Sequence, residues 1–484
     1  MNETLNAKLK KFFGDMLVYK SSANAKFFSA LSLPSFMRDW LLMRFSDEDG
    51  RIDTEEVSAY VKKVIPKDEQ WNKYMIDMLL HGERPRFLAK VIIDFDTRNR
   101  RALFSLPDFA FPQKKGDAVA DWNVVERNQK YLMSQNESWG IVELSCHEDS
   151  RKRKNFFQLT DFVPFCPYTI DVEFYKDARK NFSLDEWLEI LLGAIDYNPQ
   201  AFETQSQKIS MLKRLLPFVE KRMNLIELAP KETGKSYVFS KISKYGWLIS
   251  GGSITRAKMF FDMNKKTTGL VSHYDYIALD EIQSITFKSD ALEMQGALKG
   301  YLESGEYRVG NNRGTGDAGL VLLGNIDSDN MNETKNMFVG LPEIFRESAL
   351  LDRFHGFIKG WTIPKMRENL KANDLALNSE YFSEILHALR DELHYRDTVD
   401  QLLDVPKDAA TRDTEAIKRI CTGFLKLLFP HVKSAEEISA ADFETYCLRP
   451  AKEMRGVIKK QLGILDYGEF GQATIPNIKV KRKD

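Results

Sequence analysis

A phosphate-binding pattern follows directly on an apolar run near the middle of the chain. The run NLIEL leads into residues 229–236, APKETGKS, which end in Gly234, Lys235 and Ser236. In the Walker A pattern the lysine reaches the β- and γ-phosphates, the hydroxyl binds Mg²⁺, and backbone N–H groups surround the phosphate chain. Ala229 replaces the first glycine of the pattern. We expect nucleotide binding along the whole segment, that is, at Ala229, Pro230, Lys231, Glu232, Thr233, Gly234, Lys235 and Ser236.

Two acids end a second apolar run. In YIALDE, residues 276–281, four apolar residues precede Asp280 and Glu281. Ligands of α/β sheets bind beyond the carboxyl ends of the strands, so we expect these acids beside Lys235. We assign Asp280, together with Ser236, to Mg²⁺ and Glu281 to activation of the attacking water. The alternative is a strand whose terminal acids are only solvated.

A third apolar run, LVLLGN, ends in Asn325. A polar amide at this place suits sensor 1 of AAA+ ATPases, which positions the attacking water between the two Walker strands. We therefore assign Asn325 a catalytic role beside Glu281.

An arginine in the segment LLDRFH is a candidate arginine finger. In AAA+ proteins a finger at the end of a buried apolar helix acts on the γ-phosphate held by a neighbouring subunit. Arginine suits this role because its planar group stays charged and binds phosphate oxygens bidentately. We assign Arg353 this catalytic role and keep Arg346 as the second candidate. The alternative is a surface arginine paired with Asp352.

The segment TRDTEAIKR, residues 411–419, supplies candidates for a further cation, sensor 2. We assign Arg412 and Arg419 to nucleotide binding. Lys418 remains a third candidate, because the sequence alone does not choose among the three.

The elements that must position these residues alternate between helix and strand from about residue 181. This alternation predicts an α/β fold with a parallel sheet and flanking helices, an AAA+ P-loop NTPase core at 181–370. After Pro364 the strands are expected to stop, which leaves a helical lid and C-terminal tail at 371–484. Residues 1–180 are expected to form an N-terminal α+β domain that binds DNA. It is helical to about residue 82 and then β-rich, resembling an OB fold.

Composition excludes several classes of protein. The chain has 484 residues, of which 43% are apolar and 29% charged, and its net charge is zero. This is the balance of a soluble globular protein without a general affinity for nucleic acid. The four cysteines include no CxxC pair and the histidines no HExxH pair, which argues against a zinc site, a disulfide framework and a metalloprotease. No apolar run reaches 18 residues, so we expect no membrane span.

Several segments together resemble the BrxL family, the AAA+ proteins of bacteriophage exclusion (BREX) defence systems. They are LAPKETGKSYVFSKIS, LISGG, YIALDEI, LLGNI and LLDRFHGFIKGWTIPKM, joined by PFCPYTIDVEFYKDARKNFSLDEWLEILL and RDTEAIKRICTGFLKLLFP. The resemblance covers roughly residues 150–465. The stretch DRFHGFIKGW is more specific than the Walker motifs, which any AAA+ protein shares.

The resemblance implies a core similar to that of the MCM helicases, with ATP and Mg²⁺ as cofactors. It also implies a hexameric ring that can stack into a double ring around DNA, in a cytoplasmic bacterial protein of antiviral defence with other defence proteins as possible partners. Many members carry a Lon-like protease domain at the C-terminus. Because this chain ends at Asp484, we expect ATPase but no protease activity.

A Gly- and Asn-rich segment, GEYRVGNNRGTGDAGL, lies between the acids and Asn325. We expect a hairpin that projects into the channel of the ring, where Arg308 and Arg313 contact DNA phosphates. An ordinary polar hairpin is the alternative. The preferred function is therefore an ATP-dependent DNA motor, and the polar, basic segment Asn264–Leu270 also favours nucleic acid. A protein unfoldase that serves a separate protease is the alternative function, and a nucleotide-gated scaffold the third.

Overall fold

The chain folds into two units. The computed structural model describes residues 3–31, 33, 35–47, 50–96, 98–112, 114, 116–132, 138–149, 154–165, 170–263, 267–287, 291–471 and 474–481. The larger unit comprises residues 1–44, 48–50 and 170–484, and the smaller unit comprises residues 45–47 and 51–169.

The N-terminal segment contains three helices and one short strand. They are α1 (Glu3–Phe13), β1 (Leu17–Lys20), α2 (Ser22–Ala30) and α3 (Ser35–Phe45). Strand β1 pairs antiparallel with residues 374–377. The expectation that residues 1–82 are helical is therefore wrong for β1, and the expectation that strands stop after Pro364 is wrong for residues 374–377 and for the short strands Leu403–Asp404 and Lys479–Val480. Each of these strands has four residues or fewer and a partner distant in the chain, so none leaves a local pattern.

The smaller unit is built around a closed five-stranded barrel. Its helices are α4 (Thr54–Val64), α5 (Asp68–Ile76), α6 (Trp122–Arg127) and α7 (Gln129–Leu132). Its strands are β2 (Arg86–Asp96), β3 (Arg101–Ser105), β4 (Ala118–Ala120), β5 (Ser138–Asp149) and β6 (Lys154–Pro164). The strand order is β2-β3-β4-β6-β5, and β5 pairs with β2 to close the barrel. Trp71, Phe87 and Phe111 pack in its apolar core. Closure leaves the barrel without a free strand edge.

The larger unit contains most of the remaining elements. Its helices are α8 (Val172–Arg179), α9 (Leu184–Ala194), α10 (Gln205–Leu212), α11 (Leu216–Val219), α12 (Lys235–Lys241), α13 (Arg256–Met259), α14 (Ala291–Ser304), α15 (Ser348–Leu351), α16 (Ser379–Leu389), α17 (His394–Leu402), α18 (Thr411–Leu428), α19 (Ala440–Phe443), α20 (Arg449–Leu465) and α21 (Tyr467–Phe470). Its strands are β7 (Leu225–Ala229), β8 (Gly246–Ser250), β9 (Phe261–Asp262), β10 (Thr267–Thr268), β11 (Tyr276–Asp280), β12 (Glu306–Val309), β13 (Asn312–Thr315), β14 (Gly319–Asn325), β15 (Gly356–Lys359), β16 (Asp374–Leu377), β17 (Leu403–Asp404) and β18 (Lys479–Val480). Within the basic segment 264–270, residues 264–266 lie outside the described residues.

Five parallel strands form the central sheet of the larger unit, in the order β15-β7-β14-β11-β8. Every residue of β7 and β11 is buried, as are all but the last of β14. Parallel strands covered on both faces read as continuous apolar runs, which is why the sequence located them well. The predicted mixed α/β architecture with a parallel sheet is confirmed. Because β14 lies between β7 and β11, the three predicted strand ends share one edge.

Helices follow the sheet toward the C-terminus. Helix α18 is the longest, with 18 residues, and its apolar side packs into the interior. Helix α9 begins at a capping box, in which the Ser183 hydroxyl accepts from the Glu186 N–H at 3.2 Å and the Glu186 carboxylate accepts from the Ser183 N–H at 2.8 Å. In the part of the chain that the structure describes, no helix is both long and apolar enough to cross a membrane.

Candidate nucleotide site

The segment after β7 forms a loop with free donor groups. Gly234 has a left-handed backbone with φ of 73°, which glycine adopts without steric cost. The backbone N–H groups of Thr233 and Gly234 have no acceptor among the described residues. Successive backbone N–H groups of this kind make a concave site for an anion. The loop can therefore donate hydrogen bonds to a phosphate.

Lys235 joins this loop to the strand that lies beside it. Its Nζ donates a hydrogen bond of 2.8 Å to Oδ1 of Asn325, and the side chain is largely buried. Burial lowers the pKa of Lys235, while the carboxylates of Glu227, Asp280 and Glu281 oppose that change. The structure thus brings Lys235 and Asn325 into contact and places both acids within electrostatic range.

Strand β11 ends in the two acids at the same edge. Asp280 is 4% exposed, and its Oδ1 accepts a hydrogen bond of 2.9 Å from the backbone N–H of Glu281. Glu281 is exposed and has a left-handed backbone with φ of 49°. A residue other than glycine pays about 1–3 kcal/mol for such a conformation, and this kind of strain is concentrated at functional sites. The turn thus holds Glu281 outward at a cost in free energy.

Gln283 links the two acids to Asn325, a contact that sequence analysis missed. Its side-chain Nε2 donates a hydrogen bond of 2.7 Å to the backbone carbonyl of Asn325. The turn that carries Gln283 is closed by Ser284, whose hydroxyl donates to the carbonyl of Glu281 at 2.9 Å. The positions of Glu281 and Asn325 are therefore coupled. No local pattern shows this contact, because its two residues follow different strands.

A buried ion pair next to the phosphate loop holds the loop backbone by a hydrogen bond. Arg214 and Glu227 are both fully buried, with 2.5 Å between Nη2 and Oε1, and Arg214 Nη1 donates to the carbonyl of Thr233 at 2.8 Å. Burial alone would lower the pKa of Arg214, but Glu227 holds it above its usual value, so the guanidinium stays charged. Sequence analysis did not identify this pair. The available signal was Glu227 itself, because a carboxylate inside an apolar strand requires a buried partner.

The oxygen donors at this edge fit a magnesium-bound nucleotide. Mg²⁺ in nucleotide sites is held by one or two protein oxygens together with phosphates. The carboxylate of Asp280 and the hydroxyl of Ser236, in the first turn of α12, are donors of this type. The free N–H groups of the loop and the Lys235 ammonium match the negative charge of the phosphates. The residues present therefore fit both groups that the sequence predicts.

Arg353 and Arg412 lie together, at the opposite edge of the sheet. Arg353 precedes β15, and its Nε is 2.8 Å from a carboxylate oxygen of Glu303. Arg412 pairs with the same carboxylate oxygen at 3.0 Å and with Asp352 at 3.0 Å. The structure therefore brings these two arginines to each other and not to the phosphate loop of their own chain.

A buried arginine that sequence analysis missed fixes the turn before β15. Arg455 is fully buried, and its Nη1 donates to the carbonyls of Asp352 at 3.0 Å and Phe354 at 2.7 Å. Its guanidinium also pairs with the carboxylates of Asp352 at 2.5 Å and Asp413 at 2.7 Å. This network holds the backbone on both sides of Arg353. Its members come from three distant segments, so their spacing in the chain carries no signal.

The remaining candidate cations also lie away from the loop. Arg419 Nη1 donates to the carbonyl of Lys221 at 2.6 Å, before the start of β7, and burial lowers its pKa. Lys418 pairs with Asp400 at 2.7 Å, and Arg346 is exposed. Nucleotide binding by Arg412 or Arg419 stays a prediction, and the structure places neither of them at the phosphate loop of its own chain.

The predicted hairpin is present as the antiparallel pair β12 and β13. Arg308 and Arg313 are directly opposite each other and both are exposed, whereas Tyr307 and Val309 point inward. The two-residue turn begins with Gly310, whose φ is 59°. Two guanidinium groups thus stand side by side on the outer face of the ribbon.

Family models match almost the whole chain. Residues 157–476 match the model described as "Lon-like protease BrxL-like, ATPase domain". Residues 11–146 match the model described as "BREX system Lon protease-like protein BrxL N-terminal".

Two curated relatives share the name "Lon-like protease BrxL". The protein of Escherichia coli O9:H4 (strain HS) is 32% identical over 358 residues, which cover 73% of this chain and 50% of the relative. The protein of Bacillus cereus (strain H3081.97) is 26% identical over 486 aligned residues, which cover 98% of this chain and 69% of the relative. The chain therefore spans about half the length of the first relative and about two thirds of the second.

Proposed function

This chain belongs to the BrxL family, and on that premise we propose that it is an ATP-hydrolysing AAA+ motor that acts on DNA in BREX anti-phage defence. The proposal takes residues 181–370 as the ATPase core, 371–484 as its lid and 1–180 as an N-terminal DNA-binding domain. ATP is the substrate and Mg²⁺ its metal.

The observation that carries the proposal is the 2.8 Å hydrogen bond between Lys235 and Asn325. It joins the phosphate loop after β7 to the end of β14, and β14 lies directly between β7 and the strand that bears Asp280 and Glu281. An amide between a phosphate-binding lysine and a pair of acids is in place to orient a water for attack. This supports ATP hydrolysis with Asn325 in the role of sensor 1.

Each residue at this edge has its own role in ATP binding or hydrolysis. When ATP binds, Lys235 exchanges Asn325 for the β- and γ-phosphates, because an ammonium bonds more strongly to a negatively charged phosphate oxygen than to a neutral amide oxygen. The released amide of Asn325 can then bind the attacking water, and Glu281 orients it and accepts its proton. Ser236 and Asp280 would hold Mg²⁺, which when bound neutralises charge on the phosphates.

The arginines at the other edge support a site shared between neighbouring chains. Arg353 and Arg412 are held together by Glu303, in a half-exposed cluster far from the phosphate loop of their own chain. In a hexameric ring this edge faces the nucleotide of the neighbour, whose phosphates replace Glu303. We assign Arg353 as the arginine finger and Arg412 as the cation beside it, in a ring that can stack into a double ring.

Two surfaces support DNA as the partner. Arg308 and Arg313 offer paired cations on an exposed ribbon, which suits phosphate contacts without sequence preference. The barrel of the smaller unit has the five strands of an OB fold, a fold whose members bind oligonucleotides. Protein remodelling is the alternative. The exposed ribbon positions of the hairpin carry arginines and no aromatic side chain, which favours DNA over polypeptide.

The site assignment is tested by separating ATP binding from hydrolysis. Glu281→Gln keeps the shape of the side chain but removes the base, so we expect ATP affinity to persist while hydrolysis falls at least about 100-fold. Lys235→Ala is expected to weaken binding itself, because the charge partner of the phosphates is lost. Calorimetric binding and phosphate release are measured side by side, with Glu343→Gln, an exposed acid elsewhere, as the control. Hydrolysis at the wild-type rate by Glu281→Gln would show that the site is wrongly assigned.

The choice of partner is tested on the hairpin. Replacing Arg308 and Arg313 together by Ala is expected to lower DNA affinity and to reduce the slope of log K against log salt by up to about 1.8, because each lost phosphate contact contributes about 0.9. Basal ATPase and assembly are expected to persist. The charge-matched control is Lys180→Ala with Lys407→Ala, both exposed lysines outside the hairpin. An unchanged slope would place DNA contact elsewhere, and stimulation of ATPase by unfolded protein but not by DNA would favour the remodelling alternative.

A further inference from the structure

A cavity of about 670 Å³ adjoins the phosphate loop. Its lining includes Gly234 of the loop, Tyr237 of α12 and, from other segments, Arg38, Asp196 and Tyr197. This volume is in the range of small-molecule sites. Among the described residues, the lining of the cavity includes neither Asn325 nor the two acids, so a ligand on the loop has a separate space beside it.

The buried charges of this lining, Lys20, Arg38 and Asp196, are already paired, while Lys26 and Lys241 also line the cavity. Asp196 accepts hydrogen bonds from Tyr237 at 2.6 Å and from Arg38 at 2.6 Å and 3.1 Å, and Lys20 pairs with it at 2.8 Å. Burial alone would raise the pKa of Asp196, but Arg38 and Lys20 hold it well below its usual value. These contacts make a rigid, ionised wall whose groups satisfy one another.

Tyr197 differs from this wall because its hydroxyl is buried without a partner. The side chain is 1% exposed, and its Oη makes no hydrogen bond to any described residue. Leaving a buried hydroxyl unpaired is energetically unfavourable. Burial raises the pKa of Tyr197 to about 12, so the hydroxyl keeps its proton and can donate it to an acceptor.

The hydroxyl lies directly against the phosphate loop. A Cβ atom on Gly234 would be only 2.1 Å from the Tyr197 oxygen, so no side chain fits at that position. The backbone N–H of Gly234 also lacks an acceptor among the described residues. Two donors therefore lie side by side with nothing to receive their hydrogen bonds, and an anionic oxygen is the group that would satisfy both.

We propose that Tyr197 binds the nucleotide, with its hydroxyl donating a hydrogen bond to the phosphate nearest the ribose while the cavity holds the nucleoside. The inference rests on the proposed function. Lys235 reaches toward Asn325 and the acids, so the terminal phosphates lie on that side of Gly234. The cavity is lined by Tyr197, Gly234 and Tyr237 and, among the described residues, not by Asn325 or the acids, which leaves the first phosphate beside Gly234 and Tyr197.

The test removes only the hydroxyl, by Tyr197→Phe. Because a hydrogen bond to a charged group is lost, we expect the Kd of ATP and of ADP each to rise about 10-fold. Both ligands are affected equally because both carry the phosphate nearest the ribose. The free variant is expected to melt at the wild-type temperature or above, because no hydrogen bond of the free protein is lost.

The matched control is Tyr395→Phe. The Tyr395 side chain is fully buried, and its hydroxyl donates to the carbonyl of Pro430 at 2.5 Å in the helical region. This variant is expected to do the opposite, with a lower melting temperature and unchanged affinity for ATP and ADP. Nucleotide affinity is measured by calorimetry and melting by scanning calorimetry of the nucleotide-free protein.

Three results would overturn the inference about Tyr197. They are wild-type affinity in Tyr197→Phe, a loss confined to ATP, and a lower melting temperature of the free variant. The proposed function fails in a different way, since wild-type protein would then bind neither ATP nor ADP and Lys235→Ala would change nothing. Wild-type binding that depends on Lys235 but not on Tyr197 refutes only the further inference.

Discussion

The central sheet has a carboxyl edge, where its parallel strands end, and an amino edge, where they begin. The groups assigned to ATP at the carboxyl edge are paired differently from the buried charges at the amino edge. At the carboxyl edge Lys235 has a neutral amide, Asn325, as its hydrogen-bond partner, and Glu281 is held outward on a strained backbone. At the amino edge the buried Arg455 is matched by Asp352 and Asp413. Charges that a protein satisfies internally hold structure, whereas a lysine and an acid kept apart from each other can still bind something else.

The amino edge itself contains two kinds of charge. Arg455 is fully buried among carboxylates and carbonyls, but Arg353 and Arg412 share the half-exposed carboxylate of Glu303, and Arg412 also pairs with Asp352. The pairs with Glu303 are partly exposed, so solvent screens them. The inner part of this edge is therefore structural, and the outer part carries the two arginines that the proposed function assigns to a neighbouring chain.

The largest expected effect tests whether Arg353 acts on the nucleotide bound at the carboxyl edge of a neighbouring chain. Arg353→Ala is expected to reduce ATPase by roughly 10³–10⁵, as loss of an arginine finger does elsewhere. Mixing this variant with Lys235→Ala is expected to restore part of the activity, because hybrid interfaces pair an intact arginine with an intact phosphate loop. Steady-state phosphate release of each variant and of the mixture is measured.

Arg346→Ala is the control for that experiment, since Arg346 is exposed and was the second candidate for the finger. Loss of activity in Arg346→Ala with full activity in Arg353→Ala would reverse the assignment. A fully active monomer would contradict a shared site altogether.

A smaller effect distinguishes the buried Arg455 from the half-exposed Arg412 by their contributions to stability. Arg455→Met removes the buried cation that Asp352 and Asp413 share and leaves them only the more exposed Arg412 and Lys459, so we expect a loss of about 3–5 kcal/mol in the free energy of unfolding. Arg412→Ala, at a half-exposed position of the same cluster, is expected to cost no more than about 1 kcal/mol. Urea unfolding monitored by circular dichroism measures both. Equal losses of unfolding free energy in the two variants would show that burial does not decide how much each arginine contributes to stability.

The smallest effect concerns an acid beside the start of β8, also at the amino edge. Glu380 is fully buried between Lys244, at 2.6 Å, and Glu384, which shares the same lysine. Burial raises the pKa of Glu380 to about 7 despite the attraction of Lys244. The folded state therefore holds this proton more tightly than the unfolded state, and stability is expected to fall as pH rises from about 4.5 to about 7.

Glu380→Gln is expected to remove that fall, because an amide does not titrate. Melting temperatures between pH 5 and pH 8 are compared for wild type, Glu380→Gln and the control Glu189→Gln, which alters a partly exposed acid paired with Lys208 at 3.0 Å. A wild-type pH profile in Glu380→Gln would assign the titration to another group.

The carboxyl edge was largely predictable from the chain. Lys235, Asp280 and Asn325 each follow an apolar run, and runs of this kind are parallel strands buried on both faces. Because parallel strands end at a common edge, a position along the sequence translates directly into a position in space. The roles predicted for Arg353 and Arg412 at the amino edge had no such support, because neither residue ends a strand.

The sequence by itself therefore determined the parallel sheet, the loop at 229–236 and the residues that gather at the ends of its strands. Tertiary structure alone decided which charges are paired: Arg214 with Glu227, Arg455 with Asp352, and Arg353 with Glu303. It also decided the pairing of β1 with β16 and the approach of the Tyr197 hydroxyl to Gly234. The physical reason is that strand order and apolar periodicity are local properties of a chain, whereas a charge, a short strand or a hydroxyl takes its partner from any segment that packing brings near.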